Sequence, residues 1–301
     1  MFSIRISALL GALILAPLTA TAAPVVFSAA GPDKASIQAE VDAFRNALGS
    51  LNQNEPVNFE GGRRQINWDA APDAVSDPNP FPGDFFNFNA APRARGIEFR
   101  PSENPKAGSP DQIAKGFQLS STEASGEPVR FGFEDDLSVF SPERLFAPTG
   151  GTIFDVLFFD PADQTTPGAT RGLGIVFTNV NEILDYETQK KTTNAKVDFF
   201  LNDQDVTSDH PAFSLNAEAS GPGGLSFLGV LFDDPILAGA TVQAGLIPFD
   251  EAAKGAHVVA MDDFIFGEPT VAPVPVPSSV LLLGSALIGG AAFARRRRRM
   301  I

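Results

Sequence analysis

The hydrophobic positions of the chain predict one amphipathic helix near the start. Four apolar residues recur at helical spacing: Ile37, Val41, Phe44 and Leu48. The dipeptide Pro32-Asp33 precedes them and Gly49 follows, as is typical of helix ends. The stretch from 50 to 110 is dense in Pro, Gly and Asn, with short β-like pieces at 65–68 and 96–100, so we expect long loops there.

After Lys115, short apolar runs alternate with turn residues. The predicted strands are 117–120, 129–133, 152–159, 172–178, 196–201, 212–215, 224–232, 240–246 and 257–266. Many short strands and almost no helix predict a mainly β protein, namely a β-sandwich of the jelly-roll type. Residues 249–255 fit a turn of helix or a loop equally well.

The two ends of the chain predict export. Residues 1–22 carry Arg5 as their only charge, an apolar stretch and a small-residue site at Ala20-Thr21-Ala22, which predicts a signal peptide cut before Ala23. At the other end, a fifteen-residue apolar run over 280–294 follows a proline-rich box. Extended back to 278, that run predicts a short transmembrane helix, and the arginines after it fix its end on the cytoplasmic side.

This C-terminal order resembles the PEP-CTERM sorting signal of Gram-negative bacteria. The residues that carry the likeness are Pro273, Pro275, Pro277, Arg295, Arg296, Arg297, Arg298 and Arg299. The resemblance implies that an exosortase, a membrane-embedded protease, recognises and cuts the tail. Where the usual box is Val-Pro-Glu-Pro, this chain has valine at 276. We therefore divide the chain into a leader (1–22), an exported β domain (23–272) and a sorting tail (273–301).

The body is strongly acidic. The chain carries 22 Lys plus Arg and 36 Asp plus Glu, and six of the basic residues lie in the leader and tail, which leaves the body near −20. Such a surface repels nucleic acid and anionic lipid and favours divalent cations. Because cysteine is absent, disulfides and thiol chemistry are excluded. The 27 Phe against one Trp and one Tyr indicate core filling more than a sugar-stacking surface.

Several blocks of the body are similar to a widespread group of uncharacterised exported bacterial proteins. The blocks are 44–49, 62–69, 170–178, 224–230 and 258–264. The resemblance implies no activity. The last block, with its paired aspartates, also looks like the closing strand of jelly-roll carbohydrate-binding modules, some of which hold a structural calcium.

The candidate site residues are Asp262 and Asp263, in the middle of the last predicted strand. Strict alternation places them on opposite faces, both with apolar neighbours. At least one carboxylate should therefore be buried and need a partner. The alternatives are an arginine (Arg171 or Arg144) or backbone hydrogen bonds, a structural calcium with oxygens from 67–69, Asp155 or Asp160, and a ligand-binding role. A β-bulge would put both aspartates on one side and favour metal.

Other motifs are weaker. The run 202–205 fails the EF-hand pattern at positions six and twelve, and a polar hairpin turn fits it better. Ser226 lacks the second glycine of a nucleophile elbow and reads as a strand residue. With His210 and His257 as the only histidines, we expect no enzyme. A glycosidase would need two facing carboxylates in a cleft beside Trp68 or Tyr186.

Two functions remain. The first is a structural or interaction protein of the cell surface or extracellular matrix, exported through the secretory translocon, anchored at least transiently in the membrane and sorted through its tail. The second is a module that binds extracellular polysaccharide, in one version with calcium. Neither involves nucleic acid.

Overall fold

The computed structural model describes residues 23–271, apart from residues 105, 186–187, 203, 205 and 254–255. The expected signal peptide and sorting tail, with the proline box, the transmembrane helix and the arginine cluster, lie outside the described residues. Within the described part, no helix combines the length and the apolar character needed to cross a membrane.

The described chain contains one α-helix, α1 (Lys34–Leu48), and four single-turn 3₁₀ helices at Asp73–Val75, Glu123–Ser125, Arg130–Gly132 and Phe249–Glu251. Its strands are β1 (Val25–Gly31), β2 (Arg63–Ile66), β3 (Ile97–Pro101), β4 (Gly116–Leu119), β5 (Phe146–Thr149), β6 (Ile153–Phe158), β7 (Gly168–Ala169), β8 (Gly172–Thr178), β9 (Glu182–Leu184), β10 (Lys191–Thr193), β11 (Ala195–Leu201), β12 (Phe213–Asn216), β13 (Leu225–Leu231), β14 (Leu237–Ala244), β15 (Ala260–Gly267) and β16 (Thr270–Val271).

Two antiparallel sheets form the body. The larger has the order β1-β13-β8-β15-β5-β4, and β2 also pairs with β15. The smaller has the order β12-β11-β14-β6-β3. The pairs β9–β10 and β7–β16 stand apart from both sheets. The prediction of a mainly β protein with few helices is therefore confirmed.

The main core lies between the two sheets and is largely aromatic. Phe146 and Phe264 from the larger sheet and Phe99 and Phe154 from the smaller sheet belong to one buried cluster. Trp68 stacks on Phe146 with ring centroids 4.5 Å apart and 3° between the planes. Aromatic pairs of this kind add to the stabilisation from buried area alone. The expectation that phenylalanine fills the core is met at these positions.

Helix α1 covers the outer face of the larger sheet. Asp33 caps its first turn by accepting a hydrogen bond from Ser36 N, and Gly49 ends it with a φ of 107°. The four predicted apolar positions are all buried and pack against residues of that sheet, including Val176, Phe227 and Ile265. The periodicity therefore located both the helix and its buried face correctly.

The element predictions were wrong in two respects: one predicted strand is a turn, and several observed strands, β1 and β5 among them, were not predicted. Residues 129–133 form a 3₁₀ turn in place of a strand, with φ values of 48°, 58° and 77° at Arg130, Phe131 and Gly132. Three positive φ values in a row are incompatible with a strand. Conversely, β1 precedes the helix and pairs with β13 along its whole length, although no strand was predicted there. It begins three residues after the predicted leader.

Candidate functional site

The two candidate aspartates lie at a β-bulge in the middle of β15. Met261 pairs with Phe177 of β8, whereas Phe264 pairs with Ile175. Three residue steps on β15 therefore oppose two on β8, so β15 carries one extra residue at this point. On its other side β15 also changes partner here, because β5 pairs at Met261 and β2 pairs from Phe264 onward.

The bulge changes which way the side chains point. Met261 before it and Phe264 after it both face the core between the sheets, while Ile265 faces the cluster under α1. The expected strict alternation, with one aspartate on each face, is therefore wrong. Asp262 and Asp263 both reach the same hydroxyl on the outer side of the sheet, with Ser141 Oγ 2.8 Å from Asp262 Oδ1 and 2.7 Å from Asp263 Oδ1.

Asp262 is fully buried and is held by the segment that follows the 3₁₀ turn at 130–132. Its Oδ2 atom accepts hydrogen bonds from the backbone N–H groups of Phe140 at 2.6 Å and Ser141 at 3.2 Å. Its backbone carbonyl accepts a hydrogen bond from Trp68 Nε1. The expected burial and backbone hydrogen bonds are confirmed for this residue.

Asp263 is equally buried but faces α1 and β2. Its Oδ2 atom accepts hydrogen bonds from Arg45 Nη2 at 2.8 Å and from Gln65 Nε2 at 2.7 Å. The expected arginine partner exists, but both predicted identities were wrong. Arg144 pairs with Asp73, and Arg171 donates to the carbonyl of Phe232.

Burial raises the pKa of both carboxyl groups. The pKa of Asp262 lies well above its ordinary value because the group is desolvated and, second, because the charge of Asp263 is adjacent. Burial also raises the pKa of Asp263, but the hydrogen bond from Ser141 and the charges of Arg45 and Lys34 counteract it. Because the upward shift is larger at Asp262, the pair favours one proton held on Asp262.

The atoms around Asp262 and Asp263 fit an ion pair with arginine better than a calcium site. Calcium takes six to eight oxygen ligands. Here three oxygens converge, Asp262 Oδ1, Asp263 Oδ1 and Ser141 Oγ, while each Oδ2 atom accepts from N–H donors. The Arg45 guanidinium also repels a divalent cation. Among the described residues, no group of three or more acidic or histidine side chains is arranged to hold a metal ion.

The other predicted oxygen donors are only partly nearby. Asp69 is close enough that the charge of Asp263 adds to the upward shift that burial gives its pKa. It accepts hydrogen bonds from Asn67 Nδ2 and from the backbone N–H of Arg144. Asp155 belongs to β6 of the smaller sheet and bonds to Thr241, and Asp160 caps the turn after β6. The bulge therefore does not bring the predicted ligand set together.

The remaining candidates have ordinary places in the fold. Ser226 is fully buried within β13, as expected for a strand residue. His210 has a side chain 79% exposed, next to Asp209. Strands β11 and β12 pair antiparallel, and residues 202–212 connect them, so the connection is longer than the hairpin turn expected at 202–205. Tyr186, Asp203 and Asp205 lie outside the described residues.

Sequence reasoning missed three residues that contact the aspartates. Arg45 and Gln65 come from α1 and β2, and Ser141 comes from a loop. Arg45 directly follows Phe44 of the buried helical stripe, so its place at the edge of that stripe was the available signal. Ser141 has no comparable signal, because its position depends on how the loop before β5 crosses the sheet.

The chain was also compared with known proteins. No protein family, no curated protein and no solved structure matches it.

Proposed function

We propose that this protein is exported through the secretory translocon, sorted through its tail and used at the cell surface or in the extracellular matrix as a structural or interaction protein. In this proposal the acidic β domain has no catalytic role. The C-terminal helix anchors it in the membrane until an exosortase-type enzyme removes the tail.

The order of segments in the tail supports this proposal most. A proline box with Pro273, Pro275 and Pro277 is followed by an uncharged apolar run and then by five arginines at 295–299. A buried core helix has no use for five consecutive arginines, whereas a membrane helix needs a cationic cytoplasmic end. The leader over 1–22 is consistent with the same route.

The use of the aspartates supports a structural role for the body. Asp262 and Asp263 connect four separate segments: β15, α1, β2 and the loop at 140–141. Their oxygens contact donors of the chain itself and are fully buried, so they stabilise the fold and offer no surface to a substrate.

Processing of the full chain tests the proposal. The chain would be expressed in a Gram-negative host that processes PEP-CTERM proteins and in the same host without its exosortase, and mass spectrometry would define both ends of the mature protein. We expect a start at Ala23 and loss of the apolar tail in the first host, and an intact tail in the second. A variant with glutamine at all five positions 295–299 should remain uncut, whereas Arg171→Gln in the body should be processed normally.

The proposal fails if the mature protein keeps the apolar tail in the processing host while other substrates there are cut. It also fails if the protein stays in the cytoplasm with residues 1–22 attached.

A groove on the smaller sheet favours the second candidate function, binding of extracellular polysaccharide. It has a volume of about 460 Å³ and is lined in part by Arg100, Phe159, Asn202 and Gln204. The Oδ1 atom of Asn202 is buried without a hydrogen-bond partner in the described structure, so a sugar hydroxyl would satisfy it. A glycan array with and without chelator tests this candidate. Selective binding lost in Asn202→Ala supports it, and the absence of selective signals rejects it.

We also propose that the two sheets form a sandwich of the jelly-roll type. The long strands alternate between the two sheets along the chain, as in β13, β14 and β15. Such alternation supports a jelly roll, and an experimental structure that gives the complete strand connections would test it.

A further inference from the structure

A small pocket between two loops is lined by two arginines. It has a volume of about 250 Å³ and lies between the loop at 70–72 and the loop at 85–95. Ala70, Ala71, Pro72, Phe85, Phe86 and Pro92 supply an apolar wall, and Arg93 and Arg95 supply the cationic part. The pocket lies apart from the groove on the smaller sheet and shares no lining residue with it.

Both guanidinium groups are fixed against aromatic rings. Arg93 lies over Phe85, 4.0 Å from the ring centroid, and over Phe88 at 4.1 Å. Its Nε atom donates a 2.8 Å hydrogen bond to the carbonyl of Phe85. Arg95 lies 4.3 Å from the centroid of Phe86 and donates to the carbonyls of Gln65 and Pro92. Stacking of this kind holds the cations in place before any ligand binds.

Neither arginine has a carboxylate partner within the described part of the chain. The arginines that form salt bridges in that part are Arg45, Arg64, Arg100 and Arg144. Arg95 is only 8% exposed. Burial, and second the charge of Arg64, lower the pKa of Arg95 to about 10, so the group remains cationic at neutral pH. A nearly buried cation without an anion is costly, and a bound anion would offset that cost.

We propose that this pocket binds a small carboxylate carried on a compact aromatic or other apolar ring. The two guanidinium groups recognise the carboxylate, since arginine matches its geometry with paired N–H donors. The ring rests on the wall of Phe and Pro. Apart from the arginines that wall offers no polar side chain, so the hydroxyls of a sugar acid would lose hydrogen bonds there. The volume lies below the range of about 300–1,000 Å³ for drug-sized ligands, which indicates a single ring.

The proposal is tested by binding of benzoate to the purified full chain, measured by calorimetry and by ligand-observed NMR. Benzyl alcohol serves as the neutral analogue of the same shape, and glucuronate as a carboxylate with hydroxyls. We expect saturable binding of benzoate at one site, and at least about tenfold weaker binding of each analogue, because a hydrogen bond to a charged group contributes roughly that much.

Arg93→Gln is the informative variant, because Arg93 is half-buried and its removal leaves the core intact. It should weaken benzoate binding about tenfold or more, while the unfolding temperature falls by only a few degrees because the contacts of Arg93 with Phe85 and Phe88 are lost. Arg171→Gln removes an equal charge from an arginine that lies outside the pocket and has no carboxylate partner among the described residues, and it should bind benzoate as the wild type does. The proposal is overturned if benzoate shows no saturable binding, if Arg93→Gln binds it equally well, or if glucuronate binds as tightly as benzoate.

Discussion

At the scale of single residues, the contacts of Ser141 determine the protonation of the aspartate pair. Its Oγ atom lies within hydrogen-bond distance of an oxygen of each carboxyl group. One hydroxyl has one proton, so it can donate to only one of them. The arrangement is satisfied when Asp262 is protonated and donates to Ser141, while Ser141 donates to Asp263. Asp263 then carries the single negative charge that pairs with Arg45.

Substitution of each aspartate by asparagine should therefore have unequal effects. Asp262→Asn reproduces the protonated acid, since its amide nitrogen donates to Ser141 and its oxygen accepts from Phe140 N. We expect a loss of no more than about 1 kcal/mol in unfolding free energy at neutral pH. Asp263→Asn removes the anion that faces Arg45 and should cost about 2–4 kcal/mol. Denaturant unfolding followed through the fluorescence of Trp68 measures both, and equal losses in the two variants would contradict this assignment.

The same proton predicts how stability depends on pH. Because burial and the charge of Asp263 raise the pKa of Asp262 in the folded state, that state binds more protons than the unfolded one above pH about 4. This contribution to the unfolding free energy is fully present below about pH 4 and is lost as pH rises through the folded pKa. Wild type should therefore lose stability relative to Asp262→Asn between pH 4.5 and 8. Titrating groups away from the pair cancel in this comparison, and a constant difference across the range would refute the shared proton.

The sequence supported part of this site. Apolar neighbours correctly indicated that the aspartates are buried and need partners. The sequence analysis could say what a bulge would do but could not predict that one exists. An extra residue in β15 depends on its register with β8, which is far away in sequence. Arg45 was missed for a related reason. Its contact with Asp263 spans 218 residues and exists only because α1 packs across the larger sheet.

At the scale of elements, two glycines make room on the surface of the larger sheet for a side chain of α1. Gly174 of β8 and Gly229 of β13 lie directly opposite each other. A Cβ atom at Gly174 would come within 2.6 Å of the Phe44 ring, and one at Gly229 within 3.1 Å of it. The missing side chains leave a depression that the Phe44 ring of α1 fills, and Phe27 and Phe227 contact the ring edge to face.

Filling this depression should loosen the helix. Gly174→Ala places a methyl group against Phe44 and Phe227, and overpacking of this kind costs about 1–3 kcal/mol. We expect lower stability and faster proteolysis within α1. Gly61→Ala is the matched control, because a Cβ atom there meets nothing within 4 Å. A Gly174→Ala variant as stable and as protected as Gly61→Ala would show that the helix does not depend on this contact.

The elements also show where pattern reasoning succeeds. The helix was located from its apolar spacing because one face contacts the sheet along the whole element. Residues 172–178 were predicted with the observed bounds of β8, a central strand whose residues are all buried. The segment 129–133 resembles a strand in composition, but Gly132 and its two predecessors adopt positive φ and form a turn. Apolar composition alone does not distinguish these cases.

At the scale of the whole molecule, the sequence predicts the class of fold better than its pairing. Frequent short apolar runs indicated a mainly β protein, and the sheets confirm it. The strand order could not be read from the sequence, because β15 lies between β8, β5 and β2, which come from three distant parts of the chain. Local patterns of apolar residues predict where strands form, while packing between the sheets determines which strands pair with each other.

The acidic body makes the response to divalent cations a property of the whole molecule. A body near −20 gains stability from any cation that screens its self-repulsion, so a rise in unfolding temperature with calcium alone would not demonstrate a site. The informative comparison is calcium against magnesium, at equal millimolar concentration and ionic strength, after treatment of the full chain with EDTA. Since Arg45 and backbone donors already satisfy Asp262 and Asp263, we expect equal effects of the two ions.

A specific calcium site at a hundred times its dissociation constant would add about 2.7 kcal/mol and raise the unfolding temperature by several degrees over magnesium. If calcium causes such a rise and Asp263→Asn abolishes it, the two aspartates bind calcium. That outcome would contradict the interpretation as an arginine pair and would strengthen the proposal of calcium-dependent polysaccharide binding.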